Sequence, residues 1–147
     1  MHEHIDDISH KYPEAWEDIK LHIENIELAI EPDYIEEEVK GEPVLEQLWL
    51  DVQKHALSYV EVLCEYIIES KNKDDRESRE DFQAIDEKRR ITHNAFADSL
   101  KILARNMKDN GKDGTWYGKF DDSRIKMGYW AIKFSYDKIL EQLNNEH

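Results

Sequence analysis

The chain has 147 residues, of which 20 are Lys or Arg and 34 are Asp or Glu, and its net charge is −14. This length is typical of one domain with a buried core, and four Trp, seven Tyr and four Phe argue against disorder. No apolar run approaches the ~18 residues of a membrane span, and the acidic start lacks the apolar stretch of a signal peptide. The single Cys64 excludes an internal disulfide and a Cys-based zinc site. We therefore expect a cytoplasmic protein of one domain.

Helical periodicity dominates the chain, which contains only 5 Gly and 3 Pro, and strand signals are nearly absent. The first predicted helix covers about 14–31, and Pro32 is expected to end it. A linker follows from Asp33 to Glu42. The second predicted helix, about 44–71, is apolar on two sides and is therefore expected at the centre of a bundle.

The third predicted helix spans about 80–108, and a glycine-containing loop follows it. The fourth runs from about 122 to 144, and its N-cap is Asp121, Asp122 or Ser123. A regular stripe on this helix is expected to face the core and consists of Ile125, Tyr129, Ile132, Tyr136, Ile139 and Leu143. The pattern predicts an all-α protein, a helical bundle of four or more helices in a single domain, 1–147.

A second face of the fourth helix carries Met127, Trp130 and Phe134. In one interpretation, the aromatic residues of the preceding loop fold back and cover this face. In the other, Trp130 and Phe134 form a protein-binding surface, because aromatic residues and Met are enriched at interfaces. The sequence leaves both open.

Negative charge is concentrated in the first third of the chain. Residues 1–46 contain 15 acidic and 3 basic residues, a net charge of −12, whereas 47–147 contain 19 and 17, a net charge of −2. By contrast, 88–108 contains six basic residues and one acidic residue. We expect the acidic helix and linker, 1–46, to be packed on or appended to a core of 47–143.

The third helix contains the most informative polar residues. On a helical wheel, Arg89 and His93 fall in the middle of the apolar stripe. A charge in such a place is costly unless it is paired, so we expect a partly buried polar cluster of Asp86, Arg89, Arg90, His93 and Asn94. One interpretation is a structural network that fixes helix packing. The alternative is a phosphoester-binding or RNase-like enzyme that uses Arg89, Arg90 and His93.

Helical ribonucleases of the HEPN type use Arg and His together to bind a phosphate and transfer a proton. Their two residues are further apart in sequence than here, where three residues separate Arg89 from His93 and two separate Arg90 from His93. The spacing of this chain therefore does not match that class.

A closer resemblance rests on a run of polar residues that matches at several places. The run is Asp86-Glu87-x-Arg89-Arg90-x-x-His93-Asn94, followed by Gly114, Trp116, Arg124, Gly128, Trp130 and Ala131. With these residues, 47–143 resembles an uncharacterised bacterial family classified as a domain of unknown function. In that family a D-E-x-R-R-x-x-H-N helix precedes a glycine-rich loop and a final helix with R-x-x-x-G-x-W-A. The resemblance implies a compact helical bundle of bacterial or phage origin, and it implies no activity.

The uneven charge favours a non-enzymatic acidic binding protein, because carboxylates on consecutive helical turns can imitate a phosphate backbone and speed association with a basic partner. We expect a regulator or inhibitor of a basic protein that handles nucleic acid, with no direct contact to nucleic acid and no membrane. Self-association into homo-oligomers stays open. The expected partner-binding residues are Glu31, Asp33, Glu36, Glu37, Glu38, Glu42, Glu46, Trp130 and Phe134. Alternatively, the acidic segment neutralises the basic third helix of the same chain.

We expect no metal and no cofactor. The loop 109–120 has calcium-loop residues at some positions, but Gly111 and Phe120 stand where oxygen ligands are required. Its Asn-Gly and Asp-Gly pairs are typical of tight turns. His2, His4 and His10 are expected to be solvated rather than bound to a metal.

Overall fold

The computed structural model describes residues 12–23, 28–71 and 76–145, and these residues form helices and no strand. The elements, in chain order, are α1 (Pro13–Ile23), α2 (Pro32–Val39), α3 (Pro43–Lys71), α4 (Arg76–Asp109), a 3-10 helix (Thr115–Phe120) and α5 (Arg124–Asn145). The predicted all-α bundle of four or more helices is confirmed. The three histidines His2, His4 and His10 lie outside the described residues.

Helix α3 lies at the centre of the bundle. It packs along α4 and also contacts α1, α2 and α5. The third predicted helix corresponds to α4, and its apolar face is buried against α3 from Phe96 to Met107. The largest fully buried side chains are Trp116, Trp130, Phe96, Phe120, Ile35, Leu45, Leu100, Leu103 and Met107.

Helix α2 lies within the segment predicted to be a linker. Pro32 was expected to end a helix, whereas it occupies the first turn of α2, because its fixed φ angle suits that position. Ile35 and Val39, one turn apart, are both buried. The predicted first helix is also too long, since 28–31 are not helical. Residues 24–27 lie outside the described part of the chain.

Helix α5 faces the core with only part of the predicted stripe: Ile132 is buried and Tyr136 packs against the core, but the first two residues of the stripe do not. Ile125 is 69% exposed and Tyr129 is 41% exposed, whereas Trp130 and Phe134 are 0% and 3% exposed. The prediction of Trp130 and Phe134 as an accessible partner-binding surface is therefore wrong, and the small part of Phe134 that remains accessible lines a pocket between α2 and α5. Trp130 stacks on Phe96 of α4 with ring centres 5.8 Å apart. The wide aromatic side chains gain more from burial than the regular stripe does.

The residues before α2 belong to the same core as the rest of the bundle. The indole Nε1 of Trp130 donates a buried hydrogen bond of 2.8 Å to the carbonyl oxygen of Ile30. In α1, Trp16 stacks on Tyr136 of α5 with ring centres 5.4 Å apart. The acidic part of the chain is therefore held against α5 by specific contacts.

The connection between α4 and α5 is a compact turn. In this turn, the carboxylate of Asp113 accepts hydrogen bonds from the backbone N–H and the hydroxyl of Thr115 and from the hydroxyl of Tyr34. A Cβ atom on Gly114 would lie 2.2 Å from the carbonyl oxygen of Ala104, so only glycine allows this close approach. Ser123, one of three predicted N-caps, accepts a hydrogen bond from the backbone N–H of Lys126.

The described residues contain neither a membrane-spanning helix nor a metal-binding group of side chains. No helix among them is both long and apolar enough to cross a membrane. No group of three or more His, Cys, Asp or Glu side chains within 12–23, 28–71 and 76–145 is placed to hold a metal ion.

Candidate functional site

Asp86 holds the guanidinium group of Arg89 on the surface of α4. The Nη2 and Nε atoms of Arg89 donate to Asp86 Oδ1 at 2.7 and 3.2 Å. Arg90 approaches the other carboxylate oxygen at 4.0 Å. The guanidinium also lies 4.7 Å from the ring centre of Tyr66, in a cation–π arrangement. These contacts fix Arg89 in one orientation.

His93 is 4% exposed and joins α4 to α5. Its Nε2 lies 2.9 Å from the carbonyl oxygen of Arg124. A carbonyl oxygen only accepts, so Nε2 carries the proton, and the buried Nδ1 has no hydrogen-bond partner. Burial lowers the pKa of His93, and the charges of Arg124 and Arg89 lower it further. His93 therefore links α4 to α5 as a neutral ring whose Nδ1 lone pair is buried.

Arg124 is a residue of this cluster that sequence reasoning missed. Its Nη2 donates to Asn94 Oδ1 at 2.9 Å, across 30 residues of sequence. No carboxylate among the described residues lies within ion-pair distance of its guanidinium group. The available signal was the spacing of Arg124 and Gly128, which are four residues apart and so lie on one side of α5.

A groove between α3, α4 and α5 brings part of the predicted cluster together. We call it the arginine groove; its volume is about 270 Å³. Its polar lining is Tyr59, Arg89, His93 and Arg124, and its apolar walls are Leu63, Ile125, Tyr129 and Ile132. The groove does not include Asp86, Arg90 or Asn94.

Gly128 forms part of the groove and lets α5 approach α3 and α4. A Cβ atom there would lie 3.3 Å from the hydroxyl oxygen of Tyr59 and 4.0 Å from His93 Nε2. Tyr59 packs edge-on against the His93 ring, with ring centres 5.2 Å apart. Burial raises the pKa of Tyr59, and the charges of Arg89 and Arg124 oppose this shift. The guanidinium groups of Arg89 and Arg124 therefore both affect the ionisation of Tyr59 in the groove.

The predicted acidic residues of 31–46 lie on the surface. Six of them are exposed and Glu38 is half-buried; the exposed ones are Glu31, Asp33, Glu36, Glu37, Glu42 and Glu46. Within the described residues their one ion pair joins Lys40 to Glu37 at 4.0 Å, inside the same segment. Among the side chains that the structure describes, none of these carboxylates forms an ion pair with a basic residue of α4.

Three of these carboxylates surround a second cavity, between α2 and α5. We call it the acidic pocket; its volume is about 210 Å³. Carboxylates stand on both sides of it, and two aromatic rings line its apolar part. The lining residues are Glu31, Pro32, Asp33, Glu36, Trp49, Phe134, Asp137 and Lys138.

Two features of the acidic pocket concern its chemistry. The ammonium nitrogen of Lys138 lies 5.6 Å from the ring centre of Phe134, within cation–π range. Trp49 is 5% exposed, and its indole N–H has no hydrogen-bond partner. The pocket therefore combines negative charge with aromatic surface.

Comparison of the chain with protein-family models, with curated proteins and with solved structures found no match. The resemblance of 47–143 to a family of unknown function therefore stays a prediction.

Proposed function

We propose that the protein is a non-enzymatic, cytoplasmic acidic binding protein that regulates or inhibits a basic protein, and that the acidic pocket receives a cationic side chain of this partner. The observation that carries the proposal is the arrangement of Glu31, Asp33 and Glu36 around the rings of Trp49 and Phe134, opposite Asp137, whose carboxylate also pairs with Lys133 at 3.0 Å. A guanidinium or ammonium group is attracted both by carboxylates and by the faces of aromatic rings.

Lys138 supports this choice of ligand. Its own ammonium group lies over Phe134 inside the pocket, so a cation is compatible with the pocket's shape and charge. A cation from a partner would add to Lys138 or displace it. An arginine fits this role best, because its planar guanidinium group stacks on aromatic rings and binds carboxylates at its edge.

The exposed carboxylates around the pocket extend the negative surface. Glu37, Glu42 and Glu46 lie in the same segment as the pocket residues and are not neutralised by α4. Rows of negative charge attract the same surfaces that bind nucleic-acid phosphates. We therefore infer that the partner's basic face is one that handles nucleic acid, and that binding of this protein competes with nucleic acid.

An arginine-rich peptide tests the proposal directly. We expect it to bind with an affinity that falls as ionic strength rises, because the attraction is between opposite charges. The triple variant Glu31→Gln, Asp33→Asn, Glu36→Gln removes three pocket carboxylates. The matched control Glu37→Gln, Glu42→Gln, Glu46→Gln removes the same charge from exposed positions outside the pocket. Calorimetry gives the affinity of each variant.

The pocket variant is expected to lose more affinity than the control. Equal losses would show that only the overall field matters and would remove the pocket from the proposal. If neither variant loses affinity, the acidic surface is not the binding site and the proposed function fails. A fluorescent DNA duplex should be released from the peptide by the native protein and retained in the presence of the pocket variant.

A further inference from the structure

The arginine groove has a charge opposite to that of the molecule as a whole. Two arginines, Arg89 and Arg124, line the groove, whereas Asp86, which pairs with Arg89, and Arg90, which approaches Asp86, lie outside it. The neighbouring Lys88 pairs with Glu65 at 3.8 Å and adds no net charge. The local charge is therefore +2 on a chain of net charge −14. At physiological ionic strength, charges beyond about 8 Å are largely screened, so this local excess governs what the groove attracts.

The two arginines that line the groove are held in place without a ligand. Asp86 and the ring of Tyr66 fix Arg89, and the neutral side chain of Asn94 fixes Arg124. Because their side chains are already ordered, a ligand loses little affinity to the ordering of the site. Among the described residues, the guanidinium group of Arg124 is bonded to the neutral Asn94 Oδ1 and pairs with no carboxylate, which leaves its charge available to an anion.

The apolar walls of the groove favour a ligand that carries an apolar group next to its anionic group. Ile125 and Tyr129 are large apolar side chains that remain 69% and 41% exposed, and both lie beside Arg124. Leu63 and Ile132 complete the apolar lining. The volume of about 270 Å³ is at the lower end for small-molecule pockets, so the occupant is small.

We propose that the arginine groove binds a phosphate monoester of a small molecule with an aromatic or apolar body. The phosphate group carries close to two negative charges above about pH 6 and matches the local charge of +2. A carboxylate carries one negative charge and would leave one of the two positive charges of the groove unmatched. The body of the ligand covers Ile125 and Tyr129. His93 and Tyr59 form the base of the groove, and no covalent step is involved.

Phenyl phosphate, inorganic phosphate and benzoate separate the parts of this proposal. We expect phenyl phosphate to bind the full chain most tightly, with an affinity that rises as the pH is raised through about 6, where the phosphate gains its second charge. Inorganic phosphate lacks the apolar body and benzoate lacks the second charge, so both bind more weakly. Binding is measured by calorimetry or by changes in amide NMR signals.

Arg124→Gln is the critical variant, and Arg105→Gln is its matched control, because Arg105 is an exposed arginine of α4 that does not line the groove. The bond from His93 uses the main-chain carbonyl of residue 124, so it remains available in the variant. We expect Arg124→Gln to weaken phenyl phosphate roughly ten- to a hundredfold, as for loss of a charged hydrogen bond. Arg105→Gln should stay within about twofold.

A second variant tests the apolar wall. Ile125→Ser should weaken phenyl phosphate and leave inorganic phosphate unchanged, because Ile125 faces solvent at the groove. Three outcomes overturn the proposal: no saturable binding of phenyl phosphate, equal losses in Arg124→Gln and Arg105→Gln, or benzoate binding as tightly as phenyl phosphate. None of them depends on the acidic pocket, whose variants should leave this binding unchanged.

Discussion

At the scale of single residues, the surroundings of His93 oppose protonation of its ring. Its Nε2–H is bonded to the carbonyl oxygen of Arg124, its Nδ1 is buried, and the guanidinium groups of Arg89 and Arg124 face it. A proton added at Nδ1 would be buried, unpaired and close to two positive charges. The folded state therefore resists protonation of this residue.

The lowered pKa of His93 predicts a loss of stability in mild acid. Below the ordinary histidine pKa of about 6.5, the unfolded chain binds a proton that the folded chain does not, so the free energy of unfolding falls as the pH falls. His93→Gln should show a shallower dependence between about pH 7 and 5.5. Urea unfolding across that range measures it. Equal slopes for the two proteins would mean that His93 titrates normally in the fold.

The pair of Asp86 and Arg89 predicts a moderate effect on stability. Their side chains are 31% and 27% exposed, so the loss of the pair costs less than for a fully buried one. We expect Asp86→Ala to lower the free energy of unfolding by about 1–2 kcal/mol. Glu87→Ala, at an exposed neighbouring position, should change it by less than about 0.5 kcal/mol. A loss of the same size in both would show that the pair contributes nothing specific.

The polar residues of α4 could be predicted from the sequence, but their partners could not. Helical periodicity places Asp86, Arg89 and His93 on one side because they are three or four residues apart. Arg124 meets Asn94 and His93 only after α4 and α5 have packed, and about 30 residues of sequence separate them. No local pattern contains that information, so the groove was visible only in the structure.

At the scale of elements, the orientation of α5 can be tested by one pair of substitutions. Phe134 is buried and stacks on Trp130 with ring centres 5.3 Å apart, whereas Ile125 is mostly exposed. We expect Phe134→Ala to lower the free energy of unfolding by about 3–5 kcal/mol. Ile125→Ala should change it by less than about 0.5 kcal/mol. The reverse order, measured by chemical denaturation, would restore the orientation that the sequence predicts.

Helices α2 and α5 show where periodicity alone is insufficient. On α5, the stripe that starts at Ile125 and the face with Met127 and Trp130 both have helical spacing, so the spacing cannot choose between them. The contacts of Trp130 with Trp49 and Phe96 determine which face is buried. For α2, a proline ends one helix as readily as it starts another. The burial of Ile35 and Val39 determines which happens.

At the scale of the whole molecule, the net charge of −14 predicts that salt stabilises the fold. Like charges on 31–46 repel one another, and counterions screen that repulsion. The melting temperature should therefore rise from low to physiological ionic strength. The rise should be smaller for the variant Glu37→Gln, Glu42→Gln, Glu46→Gln, which carries three fewer negative charges.

A fall in melting temperature with salt would mean that attraction between opposite charges dominates. That result would favour the alternative in which the acidic segment neutralises the basic residues of α4. Calorimetric scans of the native protein and of the variant, at matched pH, distinguish the two cases.

The hydrogen bond from Trp130 to the carbonyl oxygen of Ile30 has a consequence for the order of folding. The two residues are 100 positions apart in sequence, so the contact closes a long loop and carries a large entropic cost. The hairpin of α3 and α4 contains more local contacts and forms earlier. On the ribosome, Ile30 leaves the exit tunnel long before α5 does, so its carbonyl oxygen can meet Trp130 only after α5 has emerged. We expect the carboxylates that follow Ile30 to oppose association of this segment with other nascent acidic chains until then, because like charges repel.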